Sequence, residues 1–281
     1  MPKTIEDIIL QHDKRGISKL KPFLSDKFCS EAADNIFSNK GTVFITTGFY
    51  ILKANAPETD GPPGAIAIGN ALEKLGYNVF YVVDFYSFHL FIDIIESEKV
   101  IIFPICSDEE SDVYAKKLIK KFSPSVLISV ERCGATADKK YQNMKGMDIS
   151  DYNAKVDYLF FNHNNTIGIG DGGNEIGMGN LFSEINNIKE LPDEPCSTKV
   201  NHLIISSISN WGAYGLIAAL SQKACKDLLP SVEEEKKLIE KLISNGAVDG
   251  ITGEVKTMVD GFEIEEYLEV LAELHSLCLA N

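Results

Sequence analysis

TVFITTGF, residues 42–49, sets the architecture predicted for this 281-residue chain. The segment is a run of β-branched and aromatic residues that closes on a glycine, and such a run predicts a strand buried on both faces. Further short apolar runs follow at residues 78–84, 100–105, 125–130, 157–161 and 201–207. Segments with helical patterns separate them. This alternation predicts an α/β fold with an open, mostly parallel sheet and helices on both faces, a Rossmann-like three-layer sandwich.

We expect residues 1–281 to form a single α/β domain. Within it, residues 1–40 predict an N-terminal helical cap without obvious chemistry, residues 41–250 the sheet core, and residues 251–281 a C-terminal helix. That last helix is expected to pack on the chain's own core, and a second subunit is the alternative, so a homo-oligomer stays open. Other helices are expected to start near Ile176 and to occupy residues 65–75, 85–97, 109–122, 213–228 and 232–243.

Composition narrows the classes of partner. A net charge of −14 argues against nucleic acid and against anionic membrane surfaces. No apolar stretch is long enough to predict a membrane-spanning helix, and the charged N-terminal segment does not resemble a signal peptide. The six cysteines are scattered without a Cys-x-x-Cys pair, which is typical of reduced thiols and gives no zinc signature. We therefore expect a cytoplasmic protein with a small-molecule ligand.

GIGDGGNEIGMGN, residues 168–180, is the densest polar motif, with six glycines among thirteen residues. Glycine is favoured where the backbone takes positive φ or approaches a ligand closely. Asp171, Asn174 and Glu175 lie among these glycines, so the motif predicts a loop wrapped around a small polar ligand or a metal ion. It lacks the Lys-Ser/Thr ending of a phosphate-binding loop, and carboxylates would repel phosphates. The alternative is a flexible loop that carries acidic residues.

Polar residues also follow most of the other predicted strands. Because ligands bind at the carboxyl ends of strands in an open parallel sheet, these loops predict one shared pocket. The residues concerned are Thr46, Thr47, Gly48, Glu58, Asp60, Asp84, Glu131, Arg132, Cys133, His163 and those of the 206–211 segment. Simpler interpretations exist: Asp60 as a turn residue, Asp84 as a helix N-cap, Glu131 and Arg132 as a local ion pair, Cys133 as an inert thiol, and His163 as a structural hydrogen-bonding group or a base.

Several of these segments resemble the D-glutamate cyclase family. They are residues 46–49, 58–65, 131–134, 143–146, 171–180 and 248–253, and the resemblance as a whole runs from about residue 5 to residue 265. The decapeptide DGGNEIGMGN, residues 171–180, is the most specific of these matches. The resemblance implies an enzyme that converts D-glutamate into 5-oxo-D-proline with loss of water.

Chemistry suggests roles for the residues of the predicted pocket. Cyclisation needs a base for the ammonium group and help for the departing oxygen. Arg132 follows a predicted core strand, so we expect it to bind a substrate carboxylate with its guanidinium fork. The base is Glu175 or Asp171, with Glu175 preferred. The N–H groups of Gly172 and Gly173 are expected to stabilise the oxyanion.

The remaining predicted residues bind substrate or metal. Glu58, Asp60 and Asn174 are expected to hold the ammonium group or a divalent cation, with Thr46, Thr47, Gly48 and Glu131 also lining the substrate site. Oxygen donors would suit Mg²⁺ or Mn²⁺, with Asp60, Asp171 and Glu175 as candidate ligands. Two other functions stay open: a non-catalytic binding module for an amino acid or its lactam, and an enzyme that uses phosphates or nucleotides.

Overall fold

A six-stranded parallel sheet forms the centre of the computed structural model, which describes residues 3–279. Its spatial order is 3-2-1-4-5-6 in chain numbering, and every pairing is parallel. The strands are β1 (Thr42–Thr47), β2 (Asn78–Val83), β3 (Val100–Ile102), β4 (Pro124–Val130), β5 (Thr166–Gly170) and β6 (His202–Ile205). The order reverses between β1 and β4, and in doubly wound sheets a ligand crevice opens outside the strand ends at that point.

Ten α-helices occur in the described chain. They are α1 (Ile5–Ile9), α2 (Phe28–Ser38), α3 (Pro62–Lys74), α4 (Phe85–Phe88), α5 (Asp108–Phe122), α6 (Asp157–Phe161), α7 (Phe182–Ile185), α8 (Ser209–Ala224), α9 (Val232–Ser244) and α10 (Ile264–Leu279). Short 3₁₀ helices and two small antiparallel strand pairs complete the fold. No described helix is both long enough and apolar enough to cross a membrane.

Alternating side chains of β1 pack into two different cores. Val43 and Ile45 join the larger core, to which α2, α3, α8, α9 and α10 contribute, whereas Phe44 joins a second core with α5 and α6. Because side chains alternate across a strand, a strand that is apolar throughout needs a helical layer on each face. The predicted open α/β sandwich with helices on both faces is confirmed.

The predicted strand at residues 157–161 is wrong, because these residues form helix α6. The buried carboxylate of Asp157 accepts hydrogen bonds from the backbone N–H of Ala135 (3.0 Å) and the hydroxyl of Tyr141 (2.7 Å), which fix the start of the helix. The fifth strand is instead TIGIG, residues 166–170. Its glycine at position 168 leaves room for the backbone of Ile176 to pass close to the strand, since a Cβ on Gly168 would lie 2.5 Å from the carbonyl oxygen of Ile176.

Several predicted helices have different bounds, and the one expected at residues 213–228 occupies Ser209–Ala224. The segment expected at residues 85–97 is helical only over Phe85–Phe88 and continues as a 3₁₀ helix, His89–Phe91. The helix expected from Ile176 is a 3₁₀ helix at Met178–Leu181. The C-terminal helix begins at Ile264, after the strand pair Met258–Val259 and Phe262–Glu263. As expected, it packs on the chain's own core, where its Tyr267 is fully buried.

A buried polar network joins α8, α9 and α10 behind the sheet. The hydroxyl of Tyr214 lies 2.5 Å from the carboxylate of Glu235 and 2.6 Å from the hydroxyl of Tyr267. Burial raises the pKa of Glu235 to about 7, and the hydrogen bond from Tyr214 opposes that shift only in part. Glu235 therefore couples the packing of these helices to pH.

We expect Glu235→Gln to flatten the pH dependence of stability. The folded state holds the Glu235 proton more tightly than the unfolded state, so this stabilisation is complete below the ordinary pKa and is lost as pH rises through about 7. Between about pH 5 and 8 the unfolding free energy of wild type should fall by on the order of 3 kcal/mol more than that of the variant. Urea titrations across this range measure the difference, with exposed Glu240→Gln as the control. Parallel curves for wild type and Glu235→Gln would contradict the assignment.

Candidate active site

A cavity of about 230 Å³ opens beside the carboxyl ends of the strands. Its walls are mainly apolar and its mouth carries the exposed Lys53 and Lys145, while buried acidic groups and Arg15 form the interior. This volume is below the range typical of drug-sized ligands, so the cavity suits a small metabolite. The lining residues are Arg15, Phe49, Tyr50, Ile51, Leu52, Lys53, Glu58, Glu131, Asn143, Met144, Lys145, Met147, Asp171, Asn174, Glu175, Gly250, Ile251 and Asp260.

Carboxylates crowd the interior of this cavity. Glu58, Glu131, Asp171, Glu175 and Asp260 line it, and all five are buried. Burial is the main cause that raises the pKa values of Glu58, Glu131 and Asp171 well above the ordinary range, and neighbouring carboxylates raise them further. Such a cluster cannot hold all its negative charges in a dry environment without positive partners. Carboxyl groups with raised pKa values are suited to proton transfer near neutral pH.

Arg15 is the cation that pairs with carboxylates of this cavity, and its side chain is partly buried. Its Nη1 lies 2.5 Å from Oδ1 of Asp171, and its Nη2 lies 2.6 Å from Oδ2 of Asp260. Asp171 follows β5, and Asp260 lies in the turn between the short strands Met258–Val259 and Phe262–Glu263. Sequence reasoning assigned no role to Arg15, because it lies in the segment expected to be a helical cap. The available signal was its rarity, since the chain has only two arginines.

A tight turn between α1 and the 3₁₀ helix Ile17–Phe23 aims Arg15 into the cavity. The carboxylate of Asp13 accepts hydrogen bonds from the backbone N–H groups of Arg15 (2.9 Å), Gly16 (2.7 Å) and Ser18 (3.0 Å). Gly16 has φ of +82°, a conformation that glycine adopts at little cost. The N-terminal cap therefore contributes directly to the site, in contrast to the prediction that it carries no chemistry.

The glycine-rich loop wraps around its own glutamate. The N–H groups of Gly172 and Gly173 donate to the two carboxylate oxygens of Glu175 at 2.9 and 2.8 Å. The predicted oxyanion role of these N–H groups is therefore corrected, because they already have an acceptor. Glu175 lines the cavity as predicted, and burial raises its pKa while the two N–H bonds oppose that rise.

Three buried oxygen atoms of this loop lack hydrogen-bond partners among residues 3–279, and one of them, Oδ1 of Asp171, has the ion pair with Arg15. The other two are Oδ2 of Asp171 and Oδ1 of Asn174, in residues that are 0% and 3% exposed. The amide nitrogen of Asn174 donates to the carbonyl of Gln142 (3.0 Å), which fixes the orientation of its oxygen. Both residues line the cavity, so their oxygens are available to a donor or a cation there.

Asp60 lies behind the cavity wall and caps the N-terminus of helix α8. Its carboxylate accepts from the N–H groups of Gly61 (2.9 Å), Ser209 (2.9 Å) and Asn210 (2.8 Å). The helix has no side-chain cap of its own, so Asp60 supplies the acceptor that its first N–H groups need. Asp60 does not line the cavity in the described structure, in contrast to the expectation that it contacts substrate, although burial raises its pKa to about 7.

Glu131 enters the cavity from the end of β4 in an unusual conformation. Its φ is +44°, which non-glycine residues seldom adopt, and its Oε2 accepts a hydrogen bond of 2.6 Å from the hydroxyl of Ser209. A residue held in a strained conformation by its surroundings is typical of functional sites. The structure thus brings Glu58, Glu131, Asp171, Asn174 and Glu175 together at one cavity.

Arg132 does not reach the cavity, and its predicted role as carboxylate binder is corrected. The guanidinium lies 2.6 Å from the carboxylate of Asp84 and donates to the carbonyls of Gly48 (2.8 Å) and Ala154 (2.9 Å). Its side chain is 1% exposed. Asp84 also accepts the N–H of Ser87 as the N-cap of α4. Arg132 therefore ties the ends of the strands to a loop, and Arg15 is the arginine at the site.

The other predicted residues do not line the cavity. Thr46 and Thr47 end β1 and Gly48 follows it, and none of the three lines the cavity. The hydroxyl oxygens of both threonines lack hydrogen-bond partners in the described structure. His163 contacts the carbonyl of Pro124 at 2.9 Å, at the opposite edge of the sheet. Cys133 is fully buried and burial raises its thiol pKa, which agrees with an inert cysteine.

Asp84→Asn should destabilise the fold strongly. It leaves the Arg132 guanidinium buried without its charge partner, and breaking such a pair typically costs about 3–5 kcal/mol. Chemical denaturation measures the loss. The control is Glu233→Gln, which removes an exposed i,i+4 pair with Lys237 and should cost less than about 0.5 kcal/mol. Equal losses in the two variants would refute the structural role of Arg132.

Comparison with known proteins identifies relatives of the chain. A family model described as D-glutamate cyclase-like, C-terminal, matches residues 5–275. The human protein named D-glutamate cyclase, mitochondrial, is 30% identical over 288 aligned positions, which cover 87% of this chain and 47% of the human protein. The chain thus spans about half the length of that relative. The location in that name is the human protein's, and the cytoplasmic location of this chain stays a prediction.

One solved structure shows a weaker likeness. An exopolyphosphatase-related protein from Bacteroides fragilis aligns with 90% of this chain and 58% of its own, at 13% identity and a TM-score of 0.45. That degree of similarity does not bear on function.

Proposed function

The chain belongs to the D-glutamate cyclase-like family, and on that premise we propose that it converts D-glutamate into 5-oxo-D-proline and water. The observation that carries the proposal is the small cavity in which one partly buried arginine faces several buried carboxyl groups with raised pKa values. The arginine can bind a carboxylate of the substrate, and the carboxyl groups can accept hydrogen bonds from its ammonium group. The same acidic lining disfavours the alternative of a phosphate- or nucleotide-using enzyme.

The reaction requires proton transfer from nitrogen to oxygen. The α-amine attacks the carbon of the side-chain carboxyl group, a C–N bond forms, and a C–O bond breaks. Overall the ammonium nitrogen loses two protons, and the departing oxygen gains two and leaves as water. A carboxyl group beside both atoms can pass these protons, and its pKa must lie near the working pH. Enclosure of the curled substrate adds the advantage of proximity.

Arg15 takes the role of carboxylate binder in this proposal. A guanidinium has five N–H donors, so contacts with Asp171 and Asp260 leave donors for a substrate carboxylate. Its side chain is 20% exposed, whereas that of Arg132 is 1% exposed. The exposed Lys53 and Lys145 at the mouth would attract a substrate with a net negative charge.

Glu58 is the base in this proposal, in place of Glu175 or Asp171. Both oxygens of Glu175 accept backbone N–H groups, and Asp171 is engaged by Arg15. Burial, and then the neighbouring Asp260 and Asp60, raise the pKa of Glu58 well above its ordinary range. Glu58 lines the cavity, where it can accept a proton from the ammonium group and return it to the departing oxygen.

Product analysis tests the activity. The chain is incubated separately with D-glutamate and L-glutamate, and 5-oxoproline is measured by chiral chromatography and mass spectrometry. We expect 5-oxo-D-proline from the D enantiomer at a rate above that of heat-denatured protein. Calorimetric binding of D-glutamate without any product would favour the non-catalytic binding module instead. If the chain neither binds D-glutamate nor forms 5-oxoproline, both functions are rejected.

Arg15→Lys should lower kcat/KM for D-glutamate on the order of 100-fold, because an ammonium group cannot reproduce the planar fork that spans two carboxylates. Steady-state kinetics measure the loss, and thermal unfolding checks that the fold is intact. Lys19→Gln is the matched control, since it removes an exposed ion pair from the same N-terminal segment and should leave turnover unchanged. Wild-type kinetics in Arg15→Lys would contradict the assignment.

Glu58→Gln should lower kcat by roughly 10²- to 10⁴-fold, the usual contribution of a general acid–base group, with a smaller effect on KM. The amide keeps the shape of the side chain but carries no transferable proton. Glu254→Gln, at an exposed ion pair with Lys256, is the control. A full kcat in Glu58→Gln would return the role of base to another carboxylate of the cavity.

A further inference from the structure

We propose that a groove between α3 and α9 binds a small amphipathic amine. The ammonium group of this ligand pairs with the carboxylate of Glu235, and its hydrocarbon part packs on apolar side chains of the groove. The groove is separate from the candidate active site, since the two cavities share no lining residue. The inference goes beyond the proposed function and does not rest on it.

The groove is large enough for a small organic ligand. Its volume is about 620 Å³, within the range of roughly 300–1,000 Å³ that is typical of ligand pockets. Helices α3 and α9 line it, together with the segment before β3 and the loop between α8 and α9. It therefore lies at a meeting point of four parts of the chain that are distant in sequence.

Apolar side chains make up half of the lining. Ile66, Ala67 and Leu228 are buried, whereas Ile94, Ile95 and Leu238 are half-buried and pack against the larger core. Apolar surface that remains in contact with water favours a hydrocarbon ligand, because its removal from water is favourable. These residues would hold the hydrocarbon part of the amine.

Glu235 is a buried carboxyl group in this lining. It is 0% exposed, whereas Glu73, Lys74 and Glu234 of the same groove are exposed. Its Oε1 lies 2.5 Å from the hydroxyl of Tyr214, but its Oε2 has no hydrogen-bond partner in the described structure. Because buried polar atoms almost always have a partner, this oxygen indicates a ligand that completes the site.

The buried network behind Glu235 cannot supply that partner. The hydroxyl of Tyr214 lies between Glu235 and the hydroxyl of Tyr267, 2.6 Å away, and each tyrosine has one proton to donate. When Tyr214 donates to Oε1, Tyr267 donates to Tyr214, and both protons are used. When the carboxyl group itself carries a proton, on either oxygen, Oε2 still has no group to bond. The missing partner must therefore come from the groove.

Charge favours an ammonium group as that partner. No lysine or arginine among residues 3–279 forms an ion pair with Glu235, and burial raises the pKa of this carboxyl group. An ammonium group would donate a charge-assisted hydrogen bond to Oε2 and would offset the cost of the buried charge, whereas a neutral donor would do only the former. The exposed Glu73 and Glu234 outnumber Lys74 in the lining, which disfavours an anionic ligand.

Binding of model amines to the intact chain tests the proposal. The probes are 2-phenylethylamine and n-hexylamine, and the controls are 2-phenylethanol and n-hexanol, which keep the hydrocarbon part but carry no charge. Nuclear magnetic resonance titration of the isotope-labelled chain at about pH 8 gives Kd and the residues affected. We expect shifts at residues of the groove such as Ala67, Leu228 and Leu238, and a Kd at least about tenfold lower for each amine than for its alcohol.

Variants on α9 separate the carboxylate from the rest of the groove. Glu235→Gln keeps the shape of the side chain without its charge, so Kd for both amines should rise at least about tenfold while Kd for the alcohols changes little. Glu240→Gln is the matched control, since Glu240 is exposed on the same helix and does not line the groove. Circular dichroism confirms that each variant is folded.

The pH dependence provides a measurement on wild type alone. The pKa of Glu235 is raised to about 7, so its charged fraction, and with it the affinity for an ammonium ion, should rise about tenfold from about pH 6 to 8. Affinity for the alcohols should not rise in this way. The other ionisable groups of the groove and of the buried network are Glu73 and Lys74 on α3, Glu234 on α9, Tyr214 on α8 and Tyr267 on α10.

Each outcome decides the proposal. It is overturned if folded wild type binds neither amine, if amines and alcohols bind equally, or if the affected residues belong to the candidate active site instead. Equal amine affinity in wild type and folded Glu235→Gln would also overturn it. Should Glu235→Gln not fold, the comparison of amine with alcohol and the change with pH in wild type decide. Formation of 5-oxoproline bears only on the proposed function.

Discussion

The ion pairs of Arg15 with Asp171 and Asp260 are the interaction on which the candidate site depends. Five buried carboxylates in one small cavity repel each other, and burial alone disfavours their charged forms. The Arg15 guanidinium, which pairs with Asp171 and Asp260, offsets part of this cost. Because the offset is incomplete, the pKa values of Glu58 and Glu131 stay raised. The site thus holds acidic groups whose pKa values lie above their ordinary range because they are buried and close to one another.

The fold explains why these groups meet. The sheet order reverses between β1 and β4, and Glu131 extends from the end of β4 at that point. The loop after β5 supplies Asp171, Asn174 and Glu175, and the turn before α10 supplies Asp260. An N-terminal turn fixed by Asp13 adds Arg15 from outside the sheet. Residues distant in sequence therefore converge because parallel strands end at a common edge.

Most of the fold could be predicted from the sequence, and the exceptions have physical causes. Apolar strands such as residues 42–47 are recognisable because both faces are buried. TIGIG, residues 166–170, is hard to recognise as a strand because glycine replaces the usual β-branched residues where another backbone segment passes close by. Residues 157–161 are apolar like a buried strand, but they form a helix. Glu131, Asp171 and Glu175 line one cavity because loops that follow parallel strands meet at one edge, whereas their roles stay predictions. The sequence indicates a role for Arg132 and none for Arg15, because the partners of a guanidinium, here Asp84 for Arg132 and Asp171 and Asp260 for Arg15, become visible only in three dimensions.

A crystal structure of the chain with bound 5-oxo-D-proline would test the central claim most directly. The account predicts the lactam in the cavity between Arg15 and Glu58, with its carboxylate within about 3.2 Å of the Arg15 guanidinium. Arg132 should keep its contacts with Asp84. A lactam bound at another surface, or one whose carboxylate contacts Arg132 instead of Arg15, would contradict it.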